Sequence, residues 1–444
     1  MMFINFNFSM RGAFSLAFFI LSLGLLERVV AFDLSRKDNL AAYWGQDSAG
    51  NQKRLSSYCN DTTIDVFPIA FLYIFRGEGG EPVIDFANIC NKWDDDTYSG
   101  TDLANCSFMA EDIKQCQAAG KVITLSLGGA TGEVGFSSDS QAETFADQIW
   151  NQFLGGESDI RPFGDAILDG LDLDIESGTP AHYAAFVHRI RSNAGLTNFT
   201  AASYALNVTA QANATLALNG NATIHGQGVD NSTTHHGHKN GTNTTAVIDV
   251  TNRKKYYYIT AAPQCPYPDA YIGAALNEAP FDAVYVQFYN NYCGLDQPDE
   301  YNFDTWDKWA KTKSANPDVK VYIGAPGSKD SAGQGYVSAE RLAEYVSDAQ
   351  EKYSSFGGVM IWDISTAHTN NRFDLGIKTA MVTSALKLFP EELPRNSTSP
   401  TGTSPTRTDT ADDSDTASAE DCEDEDHSAE SSHRRRVNSR FFRL

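Results

Sequence analysis

The chain has 444 residues and a formal net charge of -23, so it lacks the basic footprint that nucleic acid or an anionic membrane surface demands. An uncharged or cationic partner suits that balance better. The length allows one large domain with extensions, or two or three ordinary ones, and a hydrophobic fraction of 41% provides for a sizeable core.

In chain order, Arg11 precedes an apolar run over 13–26, followed by Val29, Val30, Ala31 and Phe32. A membrane-spanning helix needs about 20 apolar residues, so the run reads as a secretory signal peptide over 1–31 rather than as a stable membrane insertion, with cleavage near Ala31 or Phe32. The rival reading is an uncleaved anchor. Met10 is an alternative start. Secretion gives the cysteines a meaning: Cys59, Cys90, Cys106, Cys116, Cys265 and Cys293 lie in the body and Cys422 stands alone near the end. An even set in a secreted domain is most simply a set of disulfides, and no short paired Cys spacing of the zinc-binding kind is present.

Strands are expected at 40–44, 65–75, 122–127, 169–176, 256–262, 283–288, 319–325 and 358–362, with helices at 110–119, 141–153, 181–192 and 339–353. Alternation of this kind builds a parallel sheet, and eight strands over about 350 residues suit an α/β fold of the (β/α)8 TIM-barrel type. A doubly wound open sheet is the alternative. One catalytic domain over 32–390 is expected.

The fourth strand reads Asp169-Gly170-Leu171-Asp172-Leu173-Asp174-Ile175-Glu176. Successive strand side chains point to opposite faces, so Asp172, Asp174 and Glu176 share one face and Leu171, Leu173 and Ile175 the other. An edge strand with one wet face would look similar, but the neighbouring strands are apolar on both faces, as in a covered parallel sheet. Acids there crowd and lose water, which raises at least one carboxyl pKa and keeps a proton available for acid catalysis. Active sites of such barrels sit at the C-terminal strand ends, and Glu176 ends this strand.

Residues 207–251 break the rhythm. They carry N-glycosylation sequons at Asn207, Asn213, Asn221, Asn231, Asn240 and Asn243, with others at Asn60, Asn198 and Asn396. The stretch reads as a disordered, glycosylated insertion that joins a helix to the next strand and so emerges opposite the active face. Its His225, His235, His236 and His238 lack acidic or Cys partners and are read as solvated rather than metal-binding. Residues 391–444 turn Ser/Thr-rich, then acidic over 412–426, then basic at Arg434, Arg435 and Arg436. They are expected to be a disordered tail; an O-glycosylated spacer with a processing site is the alternative, and no GPI signal is evident.

Several motifs in order resemble the glycoside hydrolase family 18 chitinases, particularly the plant and fungal class III type. They are Tyr43-Trp44-Gly45-Gln46, Ser126-Leu127-Gly128-Gly129, the acid strand, Ala261-Ala262-Pro263-Gln264-Cys265-Pro266, Gln287-Phe288-Tyr289-Asn290-Asn291 and residues 357–363. The resemblance spans residues 39–388. It implies pairings of Cys59 with Cys116, Cys90 with Cys106 and Cys265 with Cys293; the six cysteines by themselves leave fifteen connectivities open. It also implies Glu176 as general acid and base, Asp174 and Tyr289 as groups that hold a substrate acetamido group, and Asp172 as a group that tunes Asp174 by sharing a proton. Tyr43, Gln46, Gly129, Gln287, Asn290, Met360 and Trp362 would bind substrate. By alternation, Tyr285, Gln287 and Tyr289 share a face, as do Thr124, Ser126 and Gly128, and Gly358, Met360 and Trp362. Acids, amides and flat aromatic rings together suit a sugar.

The implied activity is a secreted endochitinase acting on chitin or N-acetylglucosamine oligomers, without cofactor or metal, as a monomer. An endo-β-N-acetylglucosaminidase acting on N-glycans, and a catalytically silent lectin or inhibitor of the same fold, are the alternatives.

Overall fold

The computed structural model describes residues 32–196 and 255–388. The expected signal peptide, insertion and tail lie outside the described residues. Eight parallel strands close a barrel: β1 (Asn39–Ala42), β2 (Val66–Ile74), β4 (Val122–Gly129), β5 (Gly170–Ile175), β6 (Tyr258–Ala261), β7 (Ala283–Gln287), β8 (Lys320–Pro326) and β9 (Phe356–Trp362). Their order runs β1-β9-β8-β7-β6-β5-β4-β2, and β1 pairs with β2 to close the ring. The eight expected strands are all present. An unanticipated two-residue strand, β3 (Val83–Ile84), pairs antiparallel with the end of β2.

The helices are α1 (Ala110–Ala118), α2 (Asp139–Phe153), α3 (Tyr183–Asn193), α4 (Gly273–Glu278), α5 (Phe303–Thr312), α6 (Ala339–Lys352), α7 (Ile364–Thr369) and α8 (Phe373–Leu388). Helix α2 starts where Ser138 accepts the Gln141 backbone N–H, and it buries Ala142, Phe145, Ala146, Ile149 and Phe153 at helical spacing. Each large apolar side chain so buried is worth about 1.5–3 kcal/mol. Helix α6 repeats the device, with Ser338 as cap and Leu342, Val346 and Ala349 buried.

Strand alternation separates two cores. Leu171, Leu173 and Ile175 join the large layer between barrel and helices, whereas Tyr43, Phe71, Tyr285, Tyr289, Tyr322 and Met360 fill the barrel interior. Carboxylates also tie strand starts together at the N-terminal end. Asp65 accepts the Leu40 N–H at 2.7 Å, Asp169 the Ile123 N–H at 2.9 Å and Asp282 the Ile259 N–H at 2.6 Å. Each also meets a cation, namely Lys378, Lys255 and Arg191.

The innermost of these pairs generates a prediction. Both Arg191 and Asp282 are buried, and Arg191 also donates to the carbonyls of Tyr257 and Pro280, each at 2.9 Å. Truncation at Arg191 leaves a buried carboxylate without its cation. Arg191→Leu is expected to lower stability by about 3–5 kcal/mol, read as a lower denaturant midpoint at unchanged m value.

Candidate active site

Register brings the centre of the site together from three strands. Asp172 lies beside Ser126 of β4 and Thr260 of β6, and Asp174 beside Gly128. The Asp172 carboxylate is fully buried and takes three hydroxyl donors: Tyr43 Oη and Ser126 Oγ at 2.7 Å, and Thr260 Oγ1 at 2.6 Å. Burial raises its pKa and these three bonds oppose the rise. The Asp172 charge is among the causes that push Asp174 upward.

Asp174 sits one pleat higher, beneath Glu176. Gln287 Nε2 lies 2.9 Å from Asp174 Oδ1, 2.9 Å from the Ala262 carbonyl and 3.4 Å from Glu176 Oε1. Gln264 Nε2 lies 3.4 Å from the other Glu176 oxygen. Burial pushes Asp174 well above the ordinary carboxylate range, and the charges of Glu176 and Asp172 push it further. Glu176 is also raised by burial, against the amide bonds from Gln287 and Gln264. Desolvated carboxyls in contact cannot both ionise cheaply, so the pair retains a proton as pH rises.

Aromatic side chains form the floor and wall. The Tyr289 phenol is buried and held protonated by that burial, reinforced by Asp174, Glu176 and Asp172. Trp362 stacks on Phe71 at 5.7 Å between centroids and meets Tyr43 at 5.3 Å. Gly129 has φ of +80°, and a Cβ there would stand 2.7 Å from the Phe71 ring. Its role is to admit that ring. Met360 is fully buried among the interior residues.

Two expected binding residues make hydrogen bonds within the protein. Gln46 Nε2 donates to the carbonyls of Ala70 and Asp85 at 2.9 and 3.1 Å, which fastens β1 to β2 and the chain after β3. Asn290, at φ of 56°, accepts the Gly333 N–H at 2.8 Å and steadies the loop after β8. Thr260, Phe71 and Gln264 belong to the site and were not singled out as binding or catalytic residues. Thr260 shows in sequence only as another inward strand position, and the partner of Phe71 is a glycine far away in the chain.

The three disulfides Cys59–Cys116, Cys90–Cys106 and Cys265–Cys293 are formed, with Cα separations of 4.4, 5.9 and 5.9 Å. Among the described residues, one cluster has the make-up of a metal site, Asp61, His368 and Asp374. The Arg372 guanidinium already lies 2.6 Å from Asp61 and 2.8 Å from Asp374, so a cation is in place.

The model of the family described as Glycosyl hydrolases family 18 matches residues 39–225. The class III chitinase of Arthroderma benhamiae is 34% identical over 379 residues, which cover 82% of this chain and 92% of that one. The chain belongs to glycosyl hydrolases family 18. Chitinase 1 of Rhizopus niveus is 40% identical over 338 residues, 76% of this chain and 55% of that protein; the chain thus spans about half the length of the first curated relatives it matches. The crystal structure of a xylanase and α-amylase inhibitor protein from Scadoxus multiflorus superposes with a TM-score of 0.54 at 27% identity, over 76% of this chain and 97% of that one. A similar fold is therefore found in a protein described as an inhibitor.

The raised carboxyls of this family 18 site set the sign of a stability test. A carboxyl whose native pKa exceeds its unfolded value adds stability below the unfolded value, and that stability is lost as pH rises through the native one. Asp174→Asn keeps an oxygen for Gln287 and cannot ionise. It is expected to unfold at a higher temperature than the wild type at pH 8, with the gap narrowing near pH 4.5, as thermal unfolding at both pH values would record.

Proposed function

We propose that this protein is a secreted chitinase that hydrolyses β-1,4-linked N-acetylglucosamine chains internally with retention of configuration. The observation that carries the reading is the pair Asp174 and Glu176 at the C-terminal barrel mouth. Burial favours a proton on the pair, amides crown it, and among the described residues no cation is a hydrogen-bond partner of either acid. The similarity to fungal chitinases over most of the chain supports the substrate class.

In the proposed mechanism, Glu176 gives its proton to the departing glycosidic oxygen as the C1–O bond breaks. The substrate's own 2-acetamido carbonyl oxygen attacks C1, the substrate-assisted route open to this family. Asp174 accepts the acetamido N–H and balances the positive oxazolinium. The protonated Tyr289 phenol donates to the acetamido oxygen, and Asp172 keeps a negative field beneath. Water then attacks C1 as the oxazolinium C1–O bond breaks to restore the acetamido group, and yields its proton to Glu176. Trp362, Tyr43 and Phe71 offer flat surfaces to the sugar ring. Secretion is supported by three disulfides, which form and persist in oxidising compartments.

The test is product analysis on N-acetylglucosamine oligomers with the anomer followed in time. Initial β-anomers are expected, and Glu176→Gln is expected to lower kcat by at least about 10²- to 10⁴-fold while oligomer binding persists. Near-normal turnover in that variant would remove Glu176 from its role. Oligomer binding without cleavage by the wild type would favour the lectin or inhibitor reading, and cleavage confined to N-glycans would favour the endo-β-N-acetylglucosaminidase.

A further inference from the structure

Residues in and beside α5 and α6 line a cavity of about 430 Å³ that shares no residue with the acid site. That volume is within the range of about 300–1,000 Å³ usual for small-molecule sites. Tyr301, Phe303, Tyr345 and Tyr353 supply its rings. Ring centroids lie 4.6 Å apart for Tyr301 and Tyr345, 6.4 Å for Tyr301 and Phe303, and 5.0 Å for Phe303 and Tyr353, so the four form one aromatic wall. The wall already takes a cation. The Arg341 guanidinium stands 4.7 Å from the Tyr345 centroid, inside the reach of about 6 Å for a cation–π contact, and pairs with Glu344.

Two more carboxylates line the same cavity, Asp304 in the first turn of α5 and Asp348 on α6, and both are exposed. Asp348 meets Lys352, and Asp304 accepts the Thr305 N–H at 2.8 Å; no ion pair engages Asp304 among the described residues. The lining thus holds three carboxylates against one guanidinium, on a chain of net charge -23. A neutral ring could use the aromatic wall, but only a cation gains from that imbalance. Tyr301 adds a polar requirement, because its hydroxyl is buried and has no hydrogen-bond partner among the described residues. Burial raises this phenol well above its ordinary value, with the charges of Tyr345, Tyr353 and Asp348 acting the same way, so it remains a donor. A buried donor left unmet is costly, and a ligand acceptor removes that cost.

We propose that this cavity binds an organic ammonium ion that also carries a hydroxyl, its cationic head against the aromatic wall beside Asp304 and Asp348 and its hydroxyl oxygen receiving the Tyr301 O–H. Substituted and quaternary ammonium groups suit such rings because they bring positive charge within an apolar shell. The site is separate from the barrel mouth, and its occupancy does not depend on the hydrolysis proposed above.

Calorimetric titration of the full chain compares choline with 3,3-dimethylbutan-1-ol, its uncharged isostere. Choline is expected to bind about 5-fold more tightly. Combining Asp304→Asn with Asp348→Asn, which keeps an oxygen for the Thr305 N–H, is expected to weaken choline about 5-fold and leave the isostere unmoved. Tyr301→Phe is expected to weaken both probes about 3-fold without lowering the unfolding temperature, since the hydroxyl it removes has no partner among the described residues. Glu176→Gln is expected to change none of these values, which separates the cavity from the acid pair. Equal affinity for the two probes, no binding of choline, choline affinity unmoved in the double acid variant, or loss of choline binding in Glu176→Gln overturns the inference. None of these results bears on chitin cleavage.

Discussion

Placing ionisable carboxyls inside a closed barrel, with no cation bonded to them among the described residues, is the constraint on which the rest of this structure depends. A desolvated charge has to be paired, hydrogen-bonded or neutralised. The protein uses the last two along a single strand. Asp172 is satisfied by three hydroxyls, and the pair above it is allowed to keep a proton. Both solutions require small or polar neighbours on β4 and β6, which is why Ser126, Gly128 and Thr260 stand where bulky aliphatic residues would otherwise fill the barrel.

The opposite end of the barrel treats the same chemical group in the reverse manner. Asp65, Asp169 and Asp282 each take a backbone N–H from the preceding strand in the ring and a Lys or Arg cation, a set of charge-assisted bonds that ties the strand starts together. Cations at one end fix structure, whereas among the described residues none bonds to the acids at the other. Asp169 and Asp174 lie five residues apart on or beside one strand and serve these two purposes.

Strand periodicity made much of this legible. The parity of β5, the eight strands and the shared faces of Gln287 with Tyr289 and Met360 with Trp362 follow from a two-residue repeat in residues that adjoin in sequence. What could not be read depends on partners distant in the chain. Gln46 sits in a recognisable motif, yet the Ala70 and Asp85 carbonyls consume its N–H groups, and only three-dimensional register reveals that. The same holds for Asn290 and the Gly333 loop, and for β3, whose two residues offer too little pattern to read. The three hydroxyls that meet Asp172, from Tyr43, Ser126 and Thr260, are likewise supplied from distant parts of the chain.

The seam where the ring closes bears on how the protein is made. Strand β1 pairs with β9 along four residues but with β2 at a single register position, and the lysine that meets Asp65 at the start of β2 comes from α8, 313 residues later. On a ribosome the first strand therefore waits for the last strand and the last helix before it has both neighbours. Until then a nascent chain presents an open sheet with unpaired edges at both ends, the kind of intermediate that other chains can capture. Ring closure is a late step in the folding of this barrel, and the interval before it is when a folding chaperone has most to shield.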